Sequence, residues 1–413
     1  MTGTAKAYAT VEQAVRDCYG RLVAYLAVHW RDVAAAEDAL ADAFLAACET
    51  WPRQGVPDKP EAWLLTAARR RLVDGARRAR VQAKAVPELL ALAEEGASPG
   101  AEWEEAEIGD ERLRMLFLCA HPELDPGIRT PLVLQTVLGV DATRIATAFV
   151  VKPATMGQRL SRAKAKLRAA PLRFEMPEKA EWPGRLEAVL EAVYAAYGSG
   201  WEEAAGAEPR RRDLAAEAIH LGRLLVRFLP GEPEAQGLLA LMLHLEARRA
   251  ARRDAKGRYI PLSEQDVTLW SADEIGEAEH HLSLAARAGR MGRFQLEAAI
   301  QSVHAHRSMT GETAWEDIAL LYEGLVRLAP TLGAQVGRAA ALAEAQGAQA
   351  GLSLLGELPQ EAVRSYQPFW ALAAHLYGRV GRLEEAREAY SRAAGLSTDP
   401  SVRRFLQERM NGL

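Results

Sequence analysis

With 413 residues, 49% hydrophobic and 26% charged, and a formal net charge of −4, the chain has material for two or three domains and is too apolar to be disordered. No apolar run approaches the roughly 18 residues of a membrane span, and MTGTAKAYATVEQ at the N-terminus lacks the apolar stretch of a secretory signal. Cys18, Cys48 and Cys119 stand far apart with no CxxC, which argues against a disulfide framework or zinc knuckle and for a reducing, cytoplasmic setting.

Apolar residues recur at helical spacing almost throughout, and no stretch alternates like a strand, so the fold expected is all-α. Charge is segregated along the chain. Residues 63–84 hold seven bases and one acid, 85–111 nine acids and no base, and 142–174 eight bases and no acid. Two basic blocks flanking an acidic one have the footprint of polyanion-binding surfaces, because each phosphate contact releases a condensed counterion. For either block alone, a solvated helix face is the competing reading.

Residues 32–51, DVAAAEDALADAFLAACETW, form the first element singled out. Asp32 is placed to cap an amphipathic helix, with Val33, Leu40, Phe44, Ala47 and Trp51 inward and Glu37, Asp38, Asp42 and Glu49 exposed. PRQGVPDKPE reads as a loop, and a basic helix starts just after Pro60. Leu65, Ala68, Leu72 and Ala76 are its inner stripe; Arg69, Arg70, Arg77 and Arg80 point elsewhere.

In ATRIATAFVVKPATMGQRLSRAKAKLR, a short helix over 142–149 turns Ile145, Ala146 and Phe149 inward, 150–152 make a tight turn, and Pro153 starts a second helix. Met156, Leu160, Ala163 and Leu167 form its seam, leaving Thr155, Gln158, Arg159, Arg162, Lys164, Lys166 and Arg168 outward. This is the arrangement of a helix-turn-helix whose second helix enters a major groove. Arg159 and Gln158 are the candidates for base contacts, since Arg grips guanine and Gln adenine bidentately.

DVAAAEDALADAFLAACETWP, PEAWLLTAARRRLVDGARR and RIATAFVVKPATMGQRLSRAKAKLR resemble regions 2 and 4 of bacterial extracytoplasmic-function (ECF) sigma factors. The resemblance implies two small helical domains, 1–84 and 112–172, joined by an acidic linker over 85–111. It implies a non-catalytic role: binding RNA polymerase core, recognising promoter DNA and opening it. The acidic helix, through Asp32, Glu37, Asp38 and Asp42, would dock on the β′ coiled coil of the polymerase clamp. Trp63, Arg69, Arg70, Arg77 and Arg78 would engage the −10 element. The helix from Pro153, through Thr155, Gln158, Arg159, Arg162, Lys164 and Lys166, would read the −35 element. The linker would thread the channel meant for RNA, unless it is a plain tether.

The chain continues far beyond region 4, and its continuation resembles a subgroup with a tetratricopeptide-like extension. AIHLGRLLVRFLPGEPEAQGLLALMLHLEARRAARRD, FQLEAAIQSVHA and GRLEEAREAYSRAAGL carry that resemblance. Residues 173–290 are expected to be a helical extension that fits the repeat period poorly, and 291–413 about three or four degenerate repeats. The clearest repeat is 367–400, where Trp370, Ala373, Ala374, Tyr377, Gly381, Ala386, Tyr390 and Ala393 sit near the expected spacing. Such a solenoid offers a groove to a protein or peptide partner, or simply packs on the sigma domains. The basic stretch 247–270 is either a loop reaching for an acidic surface or a salt-bridged structural corner.

No phosphate-cradling glycine loop and no metal-ligand spacing is visible. His280/His281 and His304/His306 are too close in sequence to share a helix face. No cofactor, metal or catalytic residue is expected, and Cys119 is read as core packing. A one-component helix-turn-helix regulator with a repeat sensor is the alternative; it has no use for a −10 reader. A scaffold without DNA affinity is a third.

Overall fold

The computed structural model describes residues 3–82, 105–149, 151–169, 178, 181–201 and 210–413. Most of the acidic segment, 83–104, lies outside the described residues. Among those described, regular structure is helical, apart from one isolated bridge between Arg253 and Tyr259. The chain divides into two compact units, Met1–Ala196 and Tyr197–Leu413.

The first unit begins with α1 (Gly3–Trp30), which reverses into α2 (Val33–Gln54) through Arg31 and Asp32. Arg31 takes a positive φ of 53°, and the Asp32 carboxylate accepts from the Ala35 N–H at 3.1 Å, as the sequence predicts for a cap. All five expected inward residues of α2 are buried. The helix does not stop at Trp51, however. It continues through Pro52 to Gln54, because proline in the last turn forfeits only one backbone bond, and Gly55 closes the end on the Trp51 carbonyl. Helix α3 (Pro60–Gln82) buries Leu64, Leu65, Ala68 and Leu72 against α1 and α2, with Ala76 only half-buried.

Helix α4 (Glu105–Cys119) begins inside the stretch expected to be linker. Carboxylates in a first turn complement the helix dipole, so acidity there does not prevent a helix. Glu111 is buried and pairs with Arg114 at 2.6 Å. Next come α5 (Pro126–Thr136), α6 (Ala142–Ala148) and α7 (Pro153–Ala169). Asp141 caps α6, accepting from Thr143 and Arg144 N–H groups, each at 3.0 Å. Ile145 and Ala146 are buried as expected, but Phe149 is 37% exposed. It follows the last helical residue, so the helical stripe no longer governs its direction. Cys119 is fully buried and lies 3.2 Å from the Thr136 hydroxyl; burial pushes its thiol up to about 12. Helix α8 (Trp182–Trp201) starts with Trp182 stacked on Phe117 and runs across the division between the units.

In the second unit, α9 (Arg210–Phe228) precedes α10 (Pro233–Ala247), which is mostly apolar and has no exposed residue. Helices α9, α11 (Ala272–Arg287) and α12 (Arg293–Thr310) pack around it. The basic stretch between α10 and α11 is a structural corner. Arg249 pairs with Glu246, Arg253 with Asp399 and Arg258 with Asp254, while buried Arg248 donates to Gln301 at 2.5 Å. Then follow α13 (Trp315–Leu328), α14 (Leu332–Gln346), α15 (Ala348–Gly356), the short α16 (Gln360–Val363), α17 (Gln367–Arg379), α18 (Leu383–Leu396) and α19 (Pro400–Asn411). Pairs α12/α13, α14/α15 and α17/α18 are each in contact. Gly381, at φ 79°, makes the turn of the last pair, a conformation that a side chain disfavours. Ala373, Ala374, Ala386, Tyr390 and Ala393 are buried there; the half-buried Trp370 donates its indole N–H to Val363 O at 3.0 Å.

Candidate nucleic-acid interface

Helix α7 has an apolar seam and a cationic back. Met156, Leu160, Ala163 and Leu167 are all buried, at the spacing read from the sequence. That seam packs on α6 and fixes how α7 is rotated. Gln158, Arg159 and Arg162 are left exposed on the second and third turns, with Thr155 half-buried on the first. These are the positions from which a helix in a major groove reaches base edges. Lys166 and Arg168, one and two turns further on, are also exposed. Lys166 donates to the backbone carbonyl of Glu123 and stands 3.8 Å from its carboxylate.

Lys164 departs from the expectation. Its side chain is only 10% exposed and forms an ion pair with Glu37 of α2, itself 14% exposed. Helical spacing places both residues on the solvent side, each at the edge of its helix's polar arc. The packing of α7 against α2 turns that edge inward. Burial holds the Glu37 carboxyl above the usual carboxylate range; Lys164 opposes that shift and Asp38 adds to it. The same burial, with Glu37 and Asp38 nearby, raises the Tyr19 phenol.

The other acids of α2 divide. Asp32 caps its helix and lies 3.6 Å from the Arg168 guanidinium. Asp38 is exposed, and Asp42 is 3.9 Å from Arg71 with both side chains about half exposed, a screened pair contributing about 0–1 kcal/mol. Leu45 stands among them, 64% exposed, on the face that Asp38 and Asp42 also occupy. An exposed apolar side chain on the same helix face as two carboxylates suits a protein partner better than a polyanion. Leu45 carries no signal in the sequence, because one apolar residue off the inner stripe has no periodicity.

On α3, Trp63 is half-buried and meets Trp51 edge-on, centroids 5.6 Å apart. Arg69 lies over the Tyr25 ring at 5.1 Å and bonds its hydroxyl, so it braces α3 against α1. Arg70 and Arg77 are exposed, two turns apart. The side chain of Arg78 lies outside the described residues. The structure therefore brings α2 and α7 together, keeps Arg70 and Arg77 on α3, and gathers Gln158, Arg159 and Arg162 on one face of α7.

Among the described residues, no group of three His, Cys, Asp or Glu side chains could hold a metal ion, and no helix is long and apolar enough to cross a membrane.

Comparison with known proteins agrees with part of this reading. Residues 15–81, which span most of α1 through α3, match sigma-70 region 2. Residues 185–286 match a family of unknown function, DUF6596. An uncharacterized protein of Rhizobium meliloti is 37% identical over 387 residues, which cover 93% of this chain and 91% of that protein. No solved structure matches significantly.

Proposed function

Because the chain belongs to the family of the Rhizobium meliloti protein and its first unit carries a sigma-70 region 2 domain, we propose that it is a sigma factor of the ECF type that brings RNA polymerase core to specific promoters. Region 2 is the part of a sigma-70 factor that binds core polymerase and melts promoter DNA. That match, laid over a helix with acids and an exposed leucine followed by a helix with exposed arginines, is the observation that carries the proposal.

In this reading α2 docks on the β′ clamp through Asp32, Glu37, Asp38 and Asp42, with Leu45 as the apolar centre. Trp63, Arg70, Arg77 and Arg78 on α3 face the −10 element. Helices α6 and α7 act as region 4, with Gln158, Arg159 and Arg162 on the −35 base edges and Lys166 and Arg168 on phosphates. The protein works in the cytoplasm and catalyses no reaction of its own. The helix pairs after residue 290 serve as a tetratricopeptide-like module that takes a protein or peptide partner and controls the sigma domains.

Run-off transcription with purified core polymerase is the test. A sigma factor starts RNA synthesis at a defined promoter with no other factor, and a one-component regulator gives no transcript. Truncation after Ala170 reads the role of the rest of the chain; unchanged promoter activity and regulation would remove the control assigned to it.

A further inference from the structure

We propose that the second unit carries a binding cleft for an aromatic carboxylate, and that this ligand enters by taking Arg409 from the chain's own Glu264. The proposal goes beyond the sigma-factor reading and stands on the second unit alone.

The basic corner after α10 is tied to the last helix, α19, at three points. Arg253 pairs with Asp399 at 2.6 Å, Tyr259 meets Phe405 edge-on with centroids 5.4 Å apart, and Glu264 pairs with Arg409. Residues of this seam line a cleft of about 840 Å³, to which α17 contributes another wall. Ligand pockets commonly enclose about 300–1,000 Å³. Helical spacing builds the walls. His375, Gly378 and Arg379 recur on one face of α17, and Phe405, Glu408 and Arg409 on one face of α19.

Three guanidiniums line the cleft, and each is held by a carboxylate that can release it. Asp254 holds Arg258 but also accepts the Lys256 and Arg258 backbone N–H groups, each at 2.9 Å, so it stays satisfied without the side chain. Glu344 of α14 holds Arg379 from outside the lining. Glu264 and Arg409 are both about half exposed. Pairs open to water are weak, because solvent screens them and hydrates both partners.

Arg409 also lies over the Phe405 ring at 5.0 Å. A stacked guanidinium keeps its N–H edge available to fork a carboxylate, and Glu264 now occupies that place. Tyr259, Phe405 and Tyr390 add aromatic surface to the same cleft. Desolvation holds the His375 imidazole below the usual histidine range, and Arg379 and Arg409 push it the same way against Glu344, so this end of the cleft is cationic. Glu408 acts on Arg258 instead. A cleft with acids of its own disfavours a polyanion and suits a single carboxylate on an aromatic body. When that carboxylate takes Arg409, one of the three ties is cut and the corner loosens.

Calorimetric titration of the full chain tests this with two probes, 3-phenylpropionate and the peptide Ala-Ala-Ala-Phe. 3-Phenylpropanamide and the C-terminally amidated peptide are the neutral controls. The expected result is saturable binding of a carboxylate probe and none of its amide. Glu264→Gln should tighten it by up to about fivefold, the worth of an exposed pair. Arg409→Gln should weaken it by about tenfold or more, through loss of a charged hydrogen bond. Gly378→Leu should abolish it with every charge in place. A Cβ there would meet only the tip of Leu413, at 3.3 Å, and leucine suits a helix better than glycine. Amide exchange across 254–264 should quicken when the probe binds. Binding of phenylpropionate assigns a free small acid, and binding of the peptide alone assigns a segment of a partner protein. No binding to either the parent or Glu264→Gln, equal binding of acid and amide, or undiminished binding in Gly378→Leu overturns the cleft. Binding that Glu264→Gln does not tighten refutes the exchange at Arg409. Neither polymerase nor promoter is present, so run-off transcription can fail without touching this result.

Discussion

Arg159 and Lys166 sit seven residues apart on α7, both exposed, and should fail in different ways when removed. A guanidinium on a base edge discriminates, whereas an ammonium on a phosphate only holds. Arg159→Ala should cost about 1–3 kcal/mol at one promoter position and relax preference there. Lys166→Ala should weaken binding to every sequence alike and reduce the salt slope by about one. Anisotropy titrations of the polymerase-bound protein on −35 duplexes at several salt concentrations separate the two. Single residues were legible from sequence where a period governed them. Met156, Leu160, Ala163 and Leu167 repeat at helical spacing, and all four are buried. Glu37 and Lys164 were not legible, because what buries each is a charge of the other helix more than a hundred residues away. Leu45 escaped for the opposite reason, being exposed where a leucine is ordinarily inside.

Elements were legible where local chemistry decides them. Asp32, the cap read from the sequence, accepts a backbone N–H at the start of its helix, and Asp125 and Asp141, which the sequence analysis does not single out, do the same. In α6, only seven residues long, one carboxylate holds two N–H groups. Asp141→Ala should therefore destabilise the helix-turn-helix by about 0.5–2 kcal/mol, with Asp141→Asn losing much less. Chemical denaturation followed by circular dichroism measures this, and faster amide exchange confined to α6 and α7 locates it. Element ends were harder. Proline in the last turn of α2 looked like a stop but falls where few bonds are left to break. Acids at 105–111 looked like linker but are compatible with the first turns of α4. The segment 247–270 stood open between two readings, and its pairs with Glu246 and Asp399 decided for a corner, the second from a distant stretch of sequence.

At the scale of the whole molecule, the all-helical class and the sigma-like first unit were visible in sequence, whereas the packing inside the second unit was not. Helix α10 explains why: surrounded on every side, it has no polar face and so no stripe to read. Histidines there are shielded from water, His244 in the core and His304 partly. His244 is pushed down to about 3 by burial, with Arg248 and His306 adding to it, although Glu279 lies 3.4 Å from its Nε2. His304 is pushed down to about 4 by burial and then by Arg248 and Arg307. Unfolded, each would titrate near 6.5. As pH falls below about 6.5 the unfolded chain takes up protons that the folded chain refuses, so stability is lost towards pH 4. The two together should remove on the order of 2–3 kcal/mol per pH unit. Urea unfolding of the full chain at pH 7 and pH 5.5 checks this, and His304→Gln should reduce the slope by about 1.4 kcal/mol per pH unit at most.

The enclosure of α10 also bears on synthesis. Its last residue is Ala247, but α12, one of the helices that shield it, ends only at Thr310. At ribosomal speeds of about 5–20 residues per second, this largely apolar fifteen-residue segment, with only α9 beside it, would wait roughly 3–13 s before α11 and α12 are complete. During that interval a holding chaperone, or a slow codon tract placed after α12, would decide how much of each newborn chain escapes precipitation.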